Sequence, residues 1–196
     1  GRAGVIPPGL PPGSDVGNMS ILGYDPTLFH TGRAPIEAAA LGLRLEADQI
    51  AFRCNLVTLG DDGTMVDFAG GHPDSTVAEA AIEALEAELG TDTIAFHPGV
   101  QYRHCVVTGD ALLGVEAIPP HDLTGKSAVW PTGEGSAEVR SLMEASAAVL
   151  ARFDDLAATY IWLWGQGRQP DMPAFTSHHG VEAGLVTAVD LVRGLG

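Results

Sequence analysis

The chain has 196 residues, 45% of them hydrophobic, with 25 glycines, 13 prolines and a formal net charge of −15. That length and composition describe one or two globular units with many turns and exclude a disordered chain. The balance of 25 carboxylates against 10 cationic side chains argues against nucleic acid or anionic membrane as a partner, because phosphate backbones need basic surface.

No apolar run reaches the roughly 18 residues a membrane span needs, and GRAGVIPPGL lacks the apolar core of a signal peptide, so a cytoplasmic protein is expected. From the start, PPGSDVGNMSILGYDP carries a lone serine, Ser14, after a proline- and glycine-rich approach and before a helix-like run. Gly13 allows unusual dihedrals or close approach, and Asp15 falls in the first turn. The hydroxyl of Ser14 is either an N-cap or a group on which the helix N-terminus stabilises an anion, and the local residues leave both readings open.

A short helix is expected over Ile36 to Leu43, then a strand over Gln49 to Leu59. Alternation in that strand puts Phe52, Cys54 and Leu56 on one face and Arg53 with Asn55 on the other, pointing together into something polar. The spacing predicts a helix over Ser75 to Gly90, with Thr76 and Glu79 as a capping box. Strands follow at Thr93 to His97 and Tyr102 to Thr108, the second sending Arg103 and His104 to opposite faces. Further helices are expected over Ser136 to Phe153 and from Val181 to Gly194, with a strand between them at Thr159 to Gly165.

Strands interleaved with helices give an α/β fold, with α+β as the alternative, built on a mixed sheet with flanking helices. The layout suggests an insertion: residues 1–33 and 166–196 belong to a host domain, and 34–165 form an inserted α/β unit. Cys54 and Cys105 are no disulfide scaffold and read as reduced packing residues. The cations stand out by scarcity. Lys126 is the only lysine, and Arg33, Arg53, Arg103, Lys126 and Arg168 sit in compact phrases that suit a small anion or simple charge balance. HDLTGK offers His121 and Asp122 as an acid/base pair beside Lys126, and HPGVQYRHC offers His97, Arg103 and His104. His178 and His179 are adjacent, and no HxxxH, CxxC or aspartate-rich loop marks a metal site.

Seven phrases taken in order, PGSDVGNMSILGYDP, TGRAPIEAAALG, IAFRCNLVT, FHPGVQYRH, PPHDLTGK, IWLWGQGRQPDMPAF and TAVDLVRGLG, resemble the archaeal-type cofactor-independent phosphoglycerate mutases of the alkaline phosphatase superfamily. The resemblance covers nearly the whole chain. It implies that Ser14 is a nucleophile that carries the phosphoryl group, and also a ligand of one of two divalent metal ions, manganese or magnesium. It implies a small phosphorylated carboxylate as substrate, held by residues drawn from Asp15, Asn18, Arg53, Arg103, His104, His121, Asp122, Lys126 and Arg168. The aspartate motif that should precede Gly1 and the aspartate- and histidine-rich part that should follow Gly196 are missing. The resemblance therefore implies the central portion of a mutase, inactive alone. Two other readings remain: a homoserine kinase-like relative using the same serine, and a non-catalytic anion-binding or lid module.

Overall fold

A computed structural model describes residues 4–10, 12–187 and 189–195. In chain order its elements are α1 (Ser14–Ile21), α2 (Pro26–Phe29), α3 (Ala34–Ala40), β1 (Gln49–Leu59), β2 (Met65–Asp67), α4 (Ser75–Leu89), β3 (Ile94–Val100) and β4 (Arg103–Gly109). Then come β5 (Val115–Glu116), α5 (Pro120–Leu123), β6 (Thr132–Gly133), α6 (Ser136–Leu150), β7 (Tyr160–Gly167), α7 (Phe175–His179) and α8 (Asp190–Arg193).

β1 is the central strand. It pairs with β4 over Gln49 to Asn55 and with β7 over Ala51 to Val57, while β2 folds back onto its C-terminal end and β3 lies outside β4. Every one of these pairs is antiparallel, so the expected mixed sheet is corrected to an antiparallel one within the mixed α and β architecture. The β3 and β4 strands are joined by Gln101 and Tyr102 alone, and a link that short admits only an antiparallel partner.

Both faces of the sheet are covered, which is why β1 is buried along almost its whole length. One face carries α4 and α6, which bury Ala78, Ala81, Ile82 and Leu85, and Val139, Met143, Val149 and Leu150, against Phe52, Cys54, Leu56 and Ile161. The other face carries α3, through Ala34 and Ala38 on Ala51, Cys105 and Val107. A third apolar cluster, Met19, Tyr24, Ile36, Leu191 and Leu195, ties α1, α3 and α8 together. Met143 is fully buried. Its replacement by alanine is expected to cost about 2–5 kcal/mol, read as a fall in the urea midpoint at unchanged slope.

The two long helices lie close to where their periodicity puts them, with one difference in capping. Asp74, not the Thr76 and Glu79 pair, caps α4: its Oδ1 accepts the Thr76 N–H at 2.9 Å and the Thr76 hydroxyl at 2.7 Å. α3 starts two residues earlier than expected because Pro35 suits a first turn. β3 runs through Pro98 and Gly99, which an edge strand tolerates at a register shift.

The expected helix from Val181 is largely absent. Residues 182–187 carry no regular structure, Ala188 lies outside the described residues, and only α8 is helical. Val181, Leu185, Val186 and Val189 are exposed, so their apolar stripe meets no partner among the described residues. A short helix without tertiary packing is marginal.

Two passes of the chain cross at a point that only glycine permits. A Cβ on Gly32, whose φ is +149°, would stand 2.1 Å from the Gln166 carbonyl oxygen, and one on Gly167 would stand 2.2 Å from that of Thr31. The Thr31 hydroxyl donates to the Arg168 carbonyl at 2.6 Å and ties the same crossing.

Candidate active site

α1 begins at Ser14 with Gly13 as its N-cap residue, and no side chain caps it. Ser14 is thus the first helical residue, and the N-cap reading of its hydroxyl is set aside. The side chain is exposed at the N-terminal end of α1, where the helix dipole favours negative charge, and its Oγ accepts a hydrogen bond from Arg33 Nη1 at 3.3 Å. Gly13 has ordinary extended dihedrals (φ −128°, ψ 151°). A Cβ there would lie 2.1 Å from Asp15 Oδ1, so a larger residue would displace that carboxylate.

Asp15 is buried and its Oδ2 meets His30 Nε2 at 2.7 Å. Burial works against its ionisation, but the hydrogen bond and charge of His30, helped by the charge of Arg33, hold the carboxyl below the usual carboxylate range. Asn18, one turn on, donates its amide to the Ser14 carbonyl at 2.7 Å and so stays within α1.

Asp15, His30 and Arg33 belong to one wall of a cleft of about 460 Å³. That wall is Pro12, Gly13, Asp15, His30, Gly32 and Arg33; the opposite wall is Ala117, Pro119, His121, Asp122, Trp164 and Gly165. β7 presents Trp164 opposite Arg53 in regular register, on the face that Arg53 and Asn55 share, and the register shifts just beyond it, where Gly165 takes a φ of +64°. His121 stands edge-on to Trp164 at 5.6 Å between ring centres, with its Nε2 3.7 Å from Asp122 Oδ1.

Arg53 lies beneath Trp164 and off the cleft. Its guanidinium is 5.0 Å from the indole centre, its Nη1 is paired with Glu37 Oε1, and its Nη2 is 3.5 Å from Asn55 Oδ1. Asn55 Oδ1 also accepts the Trp164 Nε1–H at 3.1 Å. The shared face of Arg53 and Asn55 is the one strand alternation assigns them; Arg53 meets Glu37 of α3 there, and Asn55 meets Trp164 and the Phe68 carbonyl.

The remaining sequence candidates lie elsewhere. Arg103 is directed to Asp190 of α8, with 3.7 Å between Nη2 and Oδ2. Arg168 donates to Asp110 Oδ2 at 2.7 Å and to the Ala47 carbonyl at 2.9 Å, beyond the cleft wall. Lys126 turns back on its own loop, its Nζ 2.8 Å from the Asp122 carbonyl oxygen. His104 is buried beside a void of about 10 Å³, room for one water, bordered also by Arg53, Arg103 and Asp190.

A family model described as 2,3-bisphosphoglycerate-independent phosphoglycerate mutase matches residues 1–154. The chain belongs to that family. It is 43% identical over 208 residues to the mutase of that name from Methanosarcina acetivorans, covering 100% of this chain and 52% of the relative. A probable mutase of the same name from Geobacter sulfurreducens is 42% identical over 210 residues, with 100% and 53% covered. Among solved structures, the cofactor-independent phosphoglycerate mutase of Thermoplasma acidophilum superposes with a TM-score of 0.61 at 25% identity, over 91% of this chain and 53% of that one. The PH0037 protein of Pyrococcus horikoshii shares the fold, with a TM-score of 0.65 at 24% identity, over 97% and 46%. The chain spans about half the length of the curated mutases it matches.

Among the described residues no group of three or more His, Cys, Asp or Glu side chains could hold a metal ion. Asp15, the carboxylate adjoining Ser14, is committed to His30. The two-ion site implied by the mutase resemblance is not assembled by these residues. No helix among the described residues is long and apolar enough to cross a membrane.

The cleft and its surroundings also hold groups that the sequence alone does not single out. Arg33 was visible only as one scarce cation, and Glu37 is its i+4 neighbour on α3. His30 and Trp164 carried no signal, since each gains its role from a partner far along the chain.

His104 accepts the Gly99 N–H on Nδ1 at 3.0 Å, and burial pushes its pKa down to about 3, so it is neutral in the fold. A depressed folded pKa means the unfolded chain binds the extra proton first. The stability contributed by neutral His104 is therefore full above pH 6.5 and declines as pH falls from there toward about 3. Thermal melts at stepped pH are expected to show a loss on the order of 4 kcal/mol across that window. His104→Gln is expected to flatten it, and an unchanged slope in that variant would assign the acid loss to other groups.

Proposed function

We propose that this chain is the central portion of a phosphoglycerate mutase that interconverts 3-phosphoglycerate and 2-phosphoglycerate through a phosphoserine at Ser14. The observation that carries the reading is the exposed Ser14 Oγ, at a helix N-terminus and 3.3 Å from an arginine that lines a cleft. In the first displacement Ser14 Oγ gives up its proton and bonds to phosphorus, the bond from phosphorus to the C3 oxygen breaks, and that oxygen takes a proton to leave glycerate. Glycerate then reorients in the cleft. In the second displacement the C2 hydroxyl oxygen gives up its proton and bonds to phosphorus, the bond from phosphorus to Ser14 Oγ breaks, and Oγ takes a proton to regenerate the serine.

The chain's own residues supply orientation and charge. Arg33 and the helix N-terminus face the anionic phosphoryl group, and His121 and Asp122 on the opposite wall are placed to contact the glycerate hydroxyls. Asp15 fixes one ring nitrogen of His30 on the Ser14 side. Arg53, Arg103 and Arg168 do not line the cleft, whereas Arg33 does and reaches Ser14 Oγ, which favours Arg33 as the first contact of the phosphoryl group. Divalent manganese or magnesium, if held with ligands from beyond the described residues, would supply Lewis-acid stabilisation of the phosphoryl oxygens.

The full-length protein assayed with 3-phosphoglycerate, with and without manganese and with no added bisphosphoglycerate, is expected to form 2-phosphoglycerate. Absence of turnover in both conditions would overturn the reading.

A further inference from the structure

We propose that Glu37 is a positioning residue: it holds the Arg33 guanidinium with its outer edge aimed at the phosphoryl group on Ser14, while buried Arg53 holds Glu37 in turn. This rests on the mutase reading of Ser14.

Arg33 is the residue before α3 and already has helical dihedrals, so its side chain lies one turn from Glu37 on the same face. Its Nε donates to Glu37 Oε1 at 2.8 Å. A guanidinium is a rigid planar fork, so fixing Nε fixes its plane and leaves free the outer edge formed by the two terminal nitrogens. One of them, Nη1, is the atom 3.3 Å from Ser14 Oγ. The indole of Trp164 limits the remaining freedom, with the Arg33 guanidinium carbon 5.4 Å from its centre.

Glu37 is itself fixed. The same Oε1 accepts from Arg53 Nη1, whose side chain is only 4% exposed. One carboxylate between two guanidiniums leaves a net charge of +1, and the exposures place the free donors with Arg33: its side chain is 24% exposed and lines the cleft, while Arg53 does not. A phosphoryl group on Ser14 would therefore meet a preoriented pair of donors without having to order a free arginine.

The alternative is that Glu37 only neutralises buried Arg53. Steady-state and quenched-flow kinetics of the full-length protein with 3-phosphoglycerate separate the two roles. Arg33→Ala is expected to lower kcat about 100-fold or more, as loss of a transition-state donor does. Glu37→Gln is expected to lower kcat and the rate of Ser14 phosphorylation about tenfold with KM little changed, and to add nothing in the Arg33→Ala background.

Because Glu37→Gln strands a buried charge, the pair Glu37→Gln with Arg53→Met, which removes both charges, is measured beside it; the same kinetic loss is expected. Retained kcat in that pair, or losses that multiply with Arg33→Ala, would overturn the positioning role while wild-type turnover upholds the mutase reading. A wild-type protein that forms no phosphoserine at Ser14 would overturn both.

Discussion

Replacing Ser14 by alanine in the full-length protein is expected to abolish mutase turnover, a loss of about 10⁴-fold or more, because both displacements use the same oxygen. KM is not the informative constant here. The measurement that decides is phosphopeptide mapping after brief exposure to 3-phosphoglycerate: wild type is expected to carry phosphate on the peptide containing Ser14, and the variant none. The side chain is exposed, and no side chain caps α1, so the substitution is expected to leave the melting temperature within a degree or two. Lost activity in a folded protein thus reads as lost chemistry. Retained turnover would remove the nucleophile assignment.

The largest effect on stability is expected at Glu37. Changing it to leucine leaves Arg53, nearly all buried, without its carboxylate, and stranding one member of a buried ion pair typically costs about 3–5 kcal/mol. Burial already draws the Arg53 pKa below its ordinary value, against the pull of Glu37, which marks how much that charge depends on its partner. Replacing both, Glu37→Leu with Arg53→Met, is expected to recover most of the loss, because apolar groups of similar size can fill the site. Urea denaturation of the two variants beside wild type checks this, and equal midpoints for the single and double variants would show that the pair does not carry the stability assigned to it.

Local rules made much of the fold legible. α4 and α6 announce themselves through apolar residues at helical spacing, and the face-sharing of Arg53 and Asn55 follows from alternation alone. The last helix misled because periodicity records a capacity to pack, and Val181, Leu185 and Val186 find no surface to pack against among the described residues. Strand direction was hidden too, since alternation is the same in parallel and antiparallel pairs; the two-residue link before β4 was the available clue.

The candidate site was legible only in part, for a related reason. Ser14 stood out through the order of seven phrases, which local chemistry could not have supplied. Glu37 gains its role from Arg53, sixteen positions away on another element, and His30 from Asp15 across the α1 to α2 turn. Trp164 reaches the site through strand pairing opposite Arg53, which no hydropathy pattern encodes. Arg103 and Arg168 looked like free cations in sequence because Asp190 and Asp110 lie far along the chain.

The glycine crossing at Gly32 and Gly167 bears on how the chain could have been assembled. Everything between Arg33 and Gly165 departs from and returns to one spot, with backbone touching backbone. A segment whose ends already meet can be excised or exchanged with little entropic cost of rejoining, because the loop to be closed is short. Ser14 and its helix precede that crossing in the chain, and Trp164, His121 and Asp122 lie between its two passes. Grafting a different sheet unit at that spot would change what faces the serine while leaving the serine in place.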